Sequence, residues 1–416
     1  MSKVSTMKNV SSALIYLLPV FIMSGNFLAD LSVVIINVLF IALLIQNKSI
    51  NFIYKNKYFW ILVFFYLYLV TRSIFTLEWI SIKPAIFSFR YVIFIFAFYY
   101  LYINKVLNLR YLYLILIGLL VILTIDGTYQ YVFKSNIFGY DLLHPYRVSS
   151  FFGDELIMGS YTLRVLLLVI PLSLLFHKNN IHFKFILKLI LSTIVLIFLL
   201  ILSGERTAFF LSLVYILSLA LFLPKSFFNK LLFFFMIILT IVFVLNLDNN
   251  YSKRLVKLTE LNIKSYVIVM EKKNERKNIL ALSAMHDDHY SSGIKMFKDN
   301  ILFGQGLKMF RIKCNDGKFN TGKHSCSTHP HNIIIQFLAE LGIIGILFLI
   351  YFYFSLFSNM IAARNNSLII STTFLVFLIF FPLLPYGNFF HNGLVIMNIL
   401  SISILWCLYN NDNKQY

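Results

Sequence analysis

Two histidines flank a proline in the segment Ser327–Asn332, directly before a long apolar run. The run carries Gln336 and Glu340 one helical turn apart, so further polar groups lie near the boundary between water and membrane. Histidine suits proton transfer near neutral pH, and the pattern predicts a general base at the mouth of a helix bundle, with His331 as the base and His329 beside it. With an ordinary pKa of about 6.5, such a base would lose activity below about pH 6. The alternative is a helix that begins after a proline and carries interfacial histidines without a chemical role.

Four arginines lie within or at the edge of apolar runs, namely Arg72, Arg90, Arg164 and Arg206. An unpaired arginine near the bilayer centre costs at least roughly 2.5 to 3.5 kcal/mol, so such residues tend to mark functional sites. Arg206 lies in a short turn between two apolar runs, where its planar guanidinium can bind phosphate oxygens through two hydrogen bonds. The alternative for these residues is snorkelling to the headgroups or pairing with an internal carboxylate, and snorkelling is our interpretation of Arg72.

A further polar stretch runs from Arg147 to Arg164 and reads RVSSFFGDELIMGSYTLR. Gly153, Asp154 and Glu155 indicate a turn followed by the charged first turn of a helix, with Asp154 as the candidate cap. We expect Asp154 and Glu155 to hold an arginine in place.

The three cysteines differ in their surroundings. Cys407 lies inside the last apolar run and is expected to be a small buried residue. Cys314 and Cys326 lie twelve positions apart in a polar stretch, where a disulfide would contribute roughly 3 kcal/mol in an oxidising compartment. The alternative is a metal site, because three histidines lie nearby: His324, His329 and His331. No CxxC or HExxH spacing supports the metal site.

The composition requires a membrane protein. Of the 416 residues, 59% are hydrophobic and only 13% are charged, which excludes a soluble globular protein. Apolar runs of about twenty residues, the length that crosses a hydrocarbon core, recur along the whole chain. The formal net charge is +19, but no polar region is large enough to fold into a domain that reads DNA, so no nucleic-acid partner is expected.

The apolar runs predict an all-α, polytopic membrane protein with twelve transmembrane helices, the first of them an uncleaved helix. The predicted helices start near Ser11, Leu31, Tyr58, Ile86, Leu112, Glu155, Phe183, Thr207, Leu231, Asn332, Ser367 and Asn388. A long hydrophilic stretch separates the ninth from the tenth. The chain thus divides into nine spans over residues 1–247, a polar segment over 248–331, and three spans over 332–416.

Lys and Arg in the short connections predict the orientation. If the N-terminus is cytoplasmic, most of them fall on the cytoplasmic side and few on the outer side. Those few are Lys83, Lys134, Arg147 and Arg206. Both termini are therefore expected in the cytoplasm, with the polar segment on the outer side.

The polar segment is itself basic, with fifteen Lys and Arg against eight Asp and Glu. Long loops are exempt from the positive-inside bias, so this charge leaves the orientation unchanged and favours an anionic partner. The alternative is a lysine-rich, solvated surface. Residues 252–277 alternate apolar side chains with Lys and Glu, which predicts an amphipathic helix on the membrane surface and a mostly helical segment.

This combination resembles the bacterial O-antigen ligase and polymerase superfamily. The shared features are twelve helices, a large outer loop between helices nine and ten, an arginine in the turn before helix eight, and a His-Asn pair followed after nine residues by Gly-x-x-Gly. Here that motif runs from His331-Asn332 to Gly342 and Gly345 without a gap. The stretch KMFKDNILFGQGLKMF also looks like this family, although its FGQG is by itself only a turn. Many members carry an arginine where this chain has residues 286–289, so it departs from the pattern there.

The resemblance implies an inverting membrane glycosyltransferase in the bacterial inner membrane, with its site facing the periplasm. The implied donor is a glycan on undecaprenyl pyrophosphate, and neither metal nor any other cofactor is needed. The residue mapping onto His331 deprotonates the acceptor hydroxyl, while those mapping onto Arg206 and Arg311 bind the departing pyrophosphate. Further pyrophosphate-binding candidates are Arg147 and Arg164, and supporting candidates are Asn332, Asp154, Glu155, Arg90 and His289.

Four alternative functions remain for the protein. The favoured one is an O-antigen ligase, which transfers a finished glycan to the lipid A core. An O-antigen polymerase would instead use a second lipid-linked repeat as acceptor. A flippase or transporter of lipid-linked sugars would need no long polar segment ending in paired histidines. A structural membrane partner would tolerate every single polar substitution without losing glycan attachment.

Overall fold

The computed structural model describes residues 3–177, 183–222, 283–363 and 366–412, with single positions scattered between 231 and 264. These residues form helices, turns and two isolated β-bridges, and no strand occurs among them. The predicted all-α class is therefore confirmed. The predicted amphipathic helix over 252–277 lies largely outside the described residues.

The helices follow one another along the chain with mostly short connections. They are α1 (Lys3–Ser24), α2 (Asn26–Gln46), α3 (Asn51–Tyr54), α4 (Lys57–Ile74), α5 (Trp79–Phe87), α6 (Phe89–Ile103), α7 (Leu109–Phe133), α8 (Met158–His177), α9 (Phe183–Ser203), α10 (Arg206–Phe222), α11 (Ala284–Asp299), α12 (Phe310–Lys313), α13 (Ile333–Ala362), α14 (Ser367–Ile379) and α15 (Asn392–Asp412).

Eight described stretches are long and apolar enough to cross a membrane, and three shorter apolar helices accompany them. The chain is thus a multi-pass membrane protein. Together these elements correspond to every predicted run except the one starting at Leu231, of which the structure describes only scattered positions. The count of twelve helices stays a prediction.

Helix α8 lies at the centre of the described bundle. It is the most buried of the membrane-length helices and packs against α7, α9, α10 and α14. On another side, α15 packs against α2, α6 and α14. Since lipid tails are as apolar as the helices, close packing rather than water exclusion holds such helices together.

Helix α13 is broken one third of the way along, at Gly342. This residue has φ +63°, a left-handed conformation that glycine adopts without a Cβ penalty. A Cβ added there would lie 2.5 Å from the Leu302 carbonyl oxygen, and one added at Gly304 would lie 2.5 Å from the Leu341 nitrogen. Only two glycines let these backbones approach so closely. The FGQG turn and the Gly-x-x-Gly motif are therefore two halves of one contact.

The break leaves backbone groups of α13 without helical partners, and residues 301–306 bond to them. The Gln305 and Gly306 N–H groups each donate at 2.8 Å to carbonyls of residues 339 and 340. In the opposite direction, the Ile343 N–H donates to the Ile301 carbonyl at 2.9 Å. Backbone groups buried in a membrane need such partners.

Two side chains of α4 fasten this contact. The Arg72 guanidinium donates to the Gly304 carbonyl at 2.7 Å, and the Tyr68 hydroxyl donates to the carbonyls of Phe303 and Leu341. The interpretation of Arg72 as a snorkelling residue is wrong, because its guanidinium is engaged by the protein backbone.

The described end of the polar segment packs on the first turns of α13 through α11. Cys314 and Cys326 form a disulfide with their Cα atoms 5.1 Å apart. Cys314 joins Met296, Phe310 and Ala339 in a small separate core. The disulfide thus ties the chain just before His329 to a packed unit. Cys407 is buried in α15, as expected.

Candidate functional site

A cavity of about 870 Å³ opens between α1, α8, α10, the end of the polar segment and the connection from α14 to α15. Six residues predicted from the sequence line it: Asp154, Glu155, Arg164, Arg311, His329 and His331. Others lie outside its lining: Arg90, Arg147, Arg206, His289 and Asn332. The cavity therefore brings together the two candidate histidines and two of the candidate arginines.

Four histidines form a row of ring contacts that passes through His331. The His331 ring lies 4.1 Å from that of His329, 5.2 Å from His289 and 5.7 Å from His286, measured between ring centroids. His286 and His289 come from α11, whereas the other two come from the segment before α13. His331 therefore lies between the α11 histidines and His329.

His329 has both ring nitrogens engaged. Its Nε2 lies 3.1 Å from the Tyr386 carbonyl oxygen, which can only accept, so this nitrogen carries the proton. Its Nδ1 lies 2.9 Å from the Thr328 hydroxyl and therefore accepts. A ring held at both ends has no free lone pair for substrate, and the His329 ring packs against that of His331.

The His331 ring differs from the His329 ring in its hydrogen bonds. No hydrogen bond reaches its ring among the described residues, and it lines the cavity. Its backbone has φ +57°, which is strained for a residue with a Cβ, and its carbonyl accepts the Tyr386 N–H at 2.8 Å. The strain and the Tyr386 contact together hold a free imidazole at the cavity wall.

Burial and mutual repulsion keep the histidine row neutral. Burial, and after it the neighbouring imidazoles, lower the pKa of His331 to about 3. The pKa values of His286 and His329 fall to about 4, again mainly through burial. A neutral imidazole is the form that can accept a proton.

No metal is indicated by these side chains. Among the residues that the structure describes, no group of three or more His, Cys, Asp or Glu is placed to hold a metal ion. The two cysteines of that alternative, Cys314 and Cys326, are joined to each other.

Asn332 acts on the backbone. Its Oδ1 accepts the Ile335 N–H at 3.1 Å as the cap of α13, and its Nδ2 donates to the Pro382 carbonyl at 2.9 Å. Asparagine is a favoured cap for this reason. Asn332 therefore fixes where α13 begins, and with it the position of His331.

Gln336 and Glu340 are buried and lie outside the cavity lining. Gln336 donates to Asn388 at 2.9 Å and to Glu340 at 3.2 Å, and its amide oxygen accepts the Phe389 N–H. These contacts hold the connection from α14 to α15, which carries Tyr386, against α13.

A glutamate that the sequence analysis did not select organises the turn before α10. The Glu205 carboxylate accepts the N–H groups of Gly159 at 2.8 Å and Ser160 at 3.1 Å, at the first turn of α8. A negative charge is favourable at a helix N-terminus. The prediction that Asp154 caps this helix is wrong, because α8 begins only at Met158 and Glu205 reaches it from another connection.

Arg147 is occupied in holding the same turn. Its guanidinium donates to the carbonyls of Ser203 at 3.2 Å and Leu156 at 2.6 Å, and lies 3.8 Å from the Glu205 carboxylate. These bonds engage the Arg147 guanidinium in holding the turn that carries Arg206.

Arg206 presents a free guanidinium beside this framework. It is half-buried and has no hydrogen bond or ion pair among the described residues. Arg254 of the polar segment donates to the Gly204 carbonyl at 3.1 Å and lies close enough to Arg206 for their charges to repel. Arg206 in turn contributes to lowering the pKa of His286, after burial and His289. This cationic cluster therefore adjoins the α11 end of the histidine row.

The two arginines of the cavity lie toward the other end of the row. Arg164 lies 5.8 Å from the Tyr386 ring centre, and Arg311 contributes to lowering the pKa of His329 after burial. In each guanidinium, the Nε atom is buried and has no hydrogen-bond partner. Asp154 and Glu155, expected to hold an arginine, instead stand exposed at the cavity and have no ion pair among the described residues.

Arg90 belongs to a different polar group. Its guanidinium lies 3.0 Å from the Asp30 carboxylate and 4.3 Å from the Tyr91 ring centre. The Asn392 side chain also donates to Asp30. Arg90 is thus paired with an internal carboxylate, the structural alternative considered for it, and does not line the cavity.

The sequence analysis missed His391, which lines the cavity with Nε2 3.4 Å from the Asn26 amide nitrogen. A signal was present, since a His-Asn pair stands at the start of each helix, His391-Asn392 at α15 and His331-Asn332 at α13. Arg254 and Glu205 offered no comparable signal, because their roles depend on contacts distant in sequence.

Fold and site define a multi-pass membrane protein with a neutral histidine and free arginines at the mouth of its helix bundle. Residues 191–350 match the family model for O-antigen ligase. The matched range includes the Arg206 turn, the histidine row and the Gly342 break. This match covers less than half of the chain and confirms the predicted resemblance to the O-antigen ligase and polymerase superfamily. No curated protein matches the chain. In general terms the match supports an enzyme of the membrane glycosyltransferase kind, and the family implies lipid-linked glycans as substrates.

Proposed function

We propose that this protein is an O-antigen ligase, which transfers a glycan from undecaprenyl pyrophosphate to the lipid A core with inversion at the anomeric carbon. The reaction takes place at the periplasmic face of the inner membrane, and both termini lie in the cytoplasm. The observation that carries this proposal is the free, neutral imidazole of His331 at the cavity wall, beside a cluster of unpaired arginine charge.

In the proposed step, His331 takes the proton from an acceptor hydroxyl. The hydroxyl oxygen attacks the anomeric carbon of the donor while the bond between that carbon and the pyrophosphate oxygen breaks. The electron pair leaves with the pyrophosphate, whose growing charge is stabilised by Arg206, with Arg254 adjacent. The pyrophosphate linkage supplies the driving force, so no nucleotide takes part.

The low pKa of His331 fits this order of events. In the resting site the imidazole is neutral but weakly basic. A bound pyrophosphate adds negative charge near the histidine row, and an opposite charge nearby raises the pKa of an imidazole. Donor binding would thus make the base stronger at the moment when it is needed.

The test is reconstitution of purified protein with a lipid-linked glycan and two alternative acceptors, lipid A core or a second lipid-linked repeat. Glycan attached to lipid A core, resolved on a gel, supports the ligase. Product only with the lipid-linked repeat assigns a polymerase instead. Transport of the lipid-linked glycan across the bilayer without any covalent product would refute both enzymes and favour a flippase.

A further inference from the structure

Two separate groups of arginines stand at the two ends of the histidine row. Arg206, with Arg254 beside it, adjoins His286, whereas Arg311 adjoins His329. Arg164 and Arg311 line the cavity, and neither Arg206 nor Arg254 does. His331 contacts both His286 and His329, so the free imidazole lies between the two cationic groups.

The two arginines of the cavity, Arg164 and Arg311, carry hydrogen-bond donors that have no partner. The Nε–H groups of Arg164 and Arg311 are buried and have no partner, although buried donors in proteins are nearly always paired. Arg164 satisfies one further nitrogen on the Ser160 carbonyl at 2.9 Å, and Arg311 makes no hydrogen bond within the described residues. Such donors at a cavity wall are suited to oxygens of a ligand.

The charge at this end of the cavity is positive. The buried side chain of Glu340 lies near both Arg311 and Lys308 and compensates at most one of them. Arg164 adds a further positive charge from α8. Three acidic side chains occur in the lining, Asp154, Glu155 and Glu205, and none of them forms an ion pair with either arginine among the described residues. Glu205 pairs with Arg147 instead. Glu340 therefore balances at most one cation, and the others remain available.

We infer that the cavity is the acceptor site and that Arg164 and Arg311 bind an anionic group, phosphate or carboxylate, on the acceptor saccharide. This inference rests on the proposed function, and it separates two of the candidate pyrophosphate-binding arginines from the donor. A base between two cationic groups suits a transferase that joins two negatively charged substrates. Arg206 holds the donor pyrophosphate on one side of His331, and the cavity places the acceptor hydroxyl on the other side.

The experiment measures binding to the full-length protein in detergent, without turnover. The probes are a labelled core oligosaccharide that bears phosphate, its phosphatase-treated form, an oligosaccharide ending in a uronic acid, and its carboxyl-reduced form. Wild-type protein is expected to bind one anionic probe about tenfold to a hundredfold more tightly than its neutral counterpart. The reason is that the neutral probe cannot form the charged hydrogen bonds with the arginines. The pair that shows the difference identifies phosphate or carboxylate as the recognised group.

Substitutions of single arginines test which side chains bind the anionic group of the acceptor. R164Q and R311Q should each reduce this preference while leaving the affinity for the lipid-linked donor unchanged, and R206Q should do the reverse. K323Q, at an exposed lysine of the same segment, is the matched control and should bind all probes as the wild type does. R311K, which keeps the charge, serves where R311Q does not fold.

Two results would overturn the inference. Equal wild-type affinity for charged and neutral probes would exclude an anion subsite, and no variant is needed for that result. Weakened donor binding in R164Q and R311Q, with acceptor binding intact, would return both arginines to the pyrophosphate. Since binding is read without transfer, a failure of the ligase assay remains a distinct result.

Discussion

At the scale of single residues, neighbouring histidines differ in what their rings contact. His329 is bonded at both nitrogens, by Thr328 and by the Tyr386 carbonyl, while the His331 ring has no bond among the described residues. The sequence showed two histidines around a proline and could not separate them, since that separation depends on Tyr386, more than fifty positions away. The order of importance, with His331 as the base and His329 as its support, stays a prediction.

The first prediction concerns this pair. General-base catalysis contributes about a hundredfold to ten-thousandfold, so His331→Ala should reduce transfer by that factor while protein level and donor binding persist. His329→Ala should cost less, because it removes a support and not the base. Initial rates in the reconstituted assay measure both. Normal transfer by His331→Ala, with His329→Ala inactive, would contradict the assignment.

The second prediction concerns Arg206. Because a planar guanidinium forms two parallel hydrogen bonds with phosphate oxygens and a lysine cannot, Arg206→Lys should recover little of the activity lost in Arg206→Ala. The expected loss is about a hundredfold to a thousandfold in rate. Lys323→Gln is again the control. A fully active lysine variant would show that Arg206 supplies only charge.

The third prediction is a pH dependence. The pKa of His331 is lowered to about 3, so the free protein keeps its base neutral well below pH 6.5. The acid limb of kcat/KM, which reports the free enzyme, should therefore lie below the value near 6 expected for an ordinary histidine, and the limb of kcat, which reports the donor complex, should lie higher. Coincident limbs near pH 6.5 would contradict this environment for His331.

The same shift has a consequence for stability. Between about pH 6.5 and the lowered value, the unfolded chain binds protons that the folded site does not, so stability falls as the pH drops through this window. His286 and His329, whose pKa values are also lowered, act in the same direction.

At the scale of elements, the break in α13 explains the first glycine of the Gly-x-x-Gly motif as backbone geometry. Gly342 and Gly304 approach each other, and residues 301–306 bond to the α13 groups that the break releases. Apolar runs predicted the helix itself, because length and composition are local properties. The break could not be predicted, because its cause lies in a segment about forty residues earlier.

The fourth prediction follows from this contact. Gly342→Ala should destabilise the protein by about 1 to 3 kcal/mol or more, because a Cβ would meet the Leu302 carbonyl at 2.5 Å in a left-handed conformation. Gly118→Ala in α7 is the matched control, since a Cβ there has nothing within 4 Å and alanine favours helix. Thermal unfolding in detergent measures both. Equal melting temperatures for the two variants would contradict the tight approach.

At the scale of the whole molecule, the chain places its polar groups at one end of the bundle. The histidine row, the Arg206 turn and the cavity arise from α8, α10, α11, α13 and the connections between them. Hydrophobic length predicted the described membrane helices well. The partners of single charges, such as Asp30 for Arg90 and Glu205 for the start of α8, were beyond prediction because they join distant parts of the chain.

The fifth prediction is the orientation. Lys323→Cys should react with an impermeant maleimide in intact spheroplasts, whereas Lys48→Cys should be protected, because the Lys and Arg asymmetry puts the connection after α2 in the cytoplasm. The labelled protein has Cys314 and Cys326 replaced by residues without a thiol, whereas Cys407 is kept because it is buried. The reverse labelling pattern would invert the topology.

The Gly342 break also bears on how the protein enters its membrane. Nine residues separate the break from the start of α13, so at about 1.5 Å per residue it lies about 14 Å along this apolar span. Released backbone groups at that depth are costly unless the protein itself satisfies them. Residues 301–306 supply these partners, so the FGQG turn lies beside α13 at the level of the break. The polar segment and α13 consequently depend on each other, and we expect the break in the helix to become stable only after that turn has packed beside it.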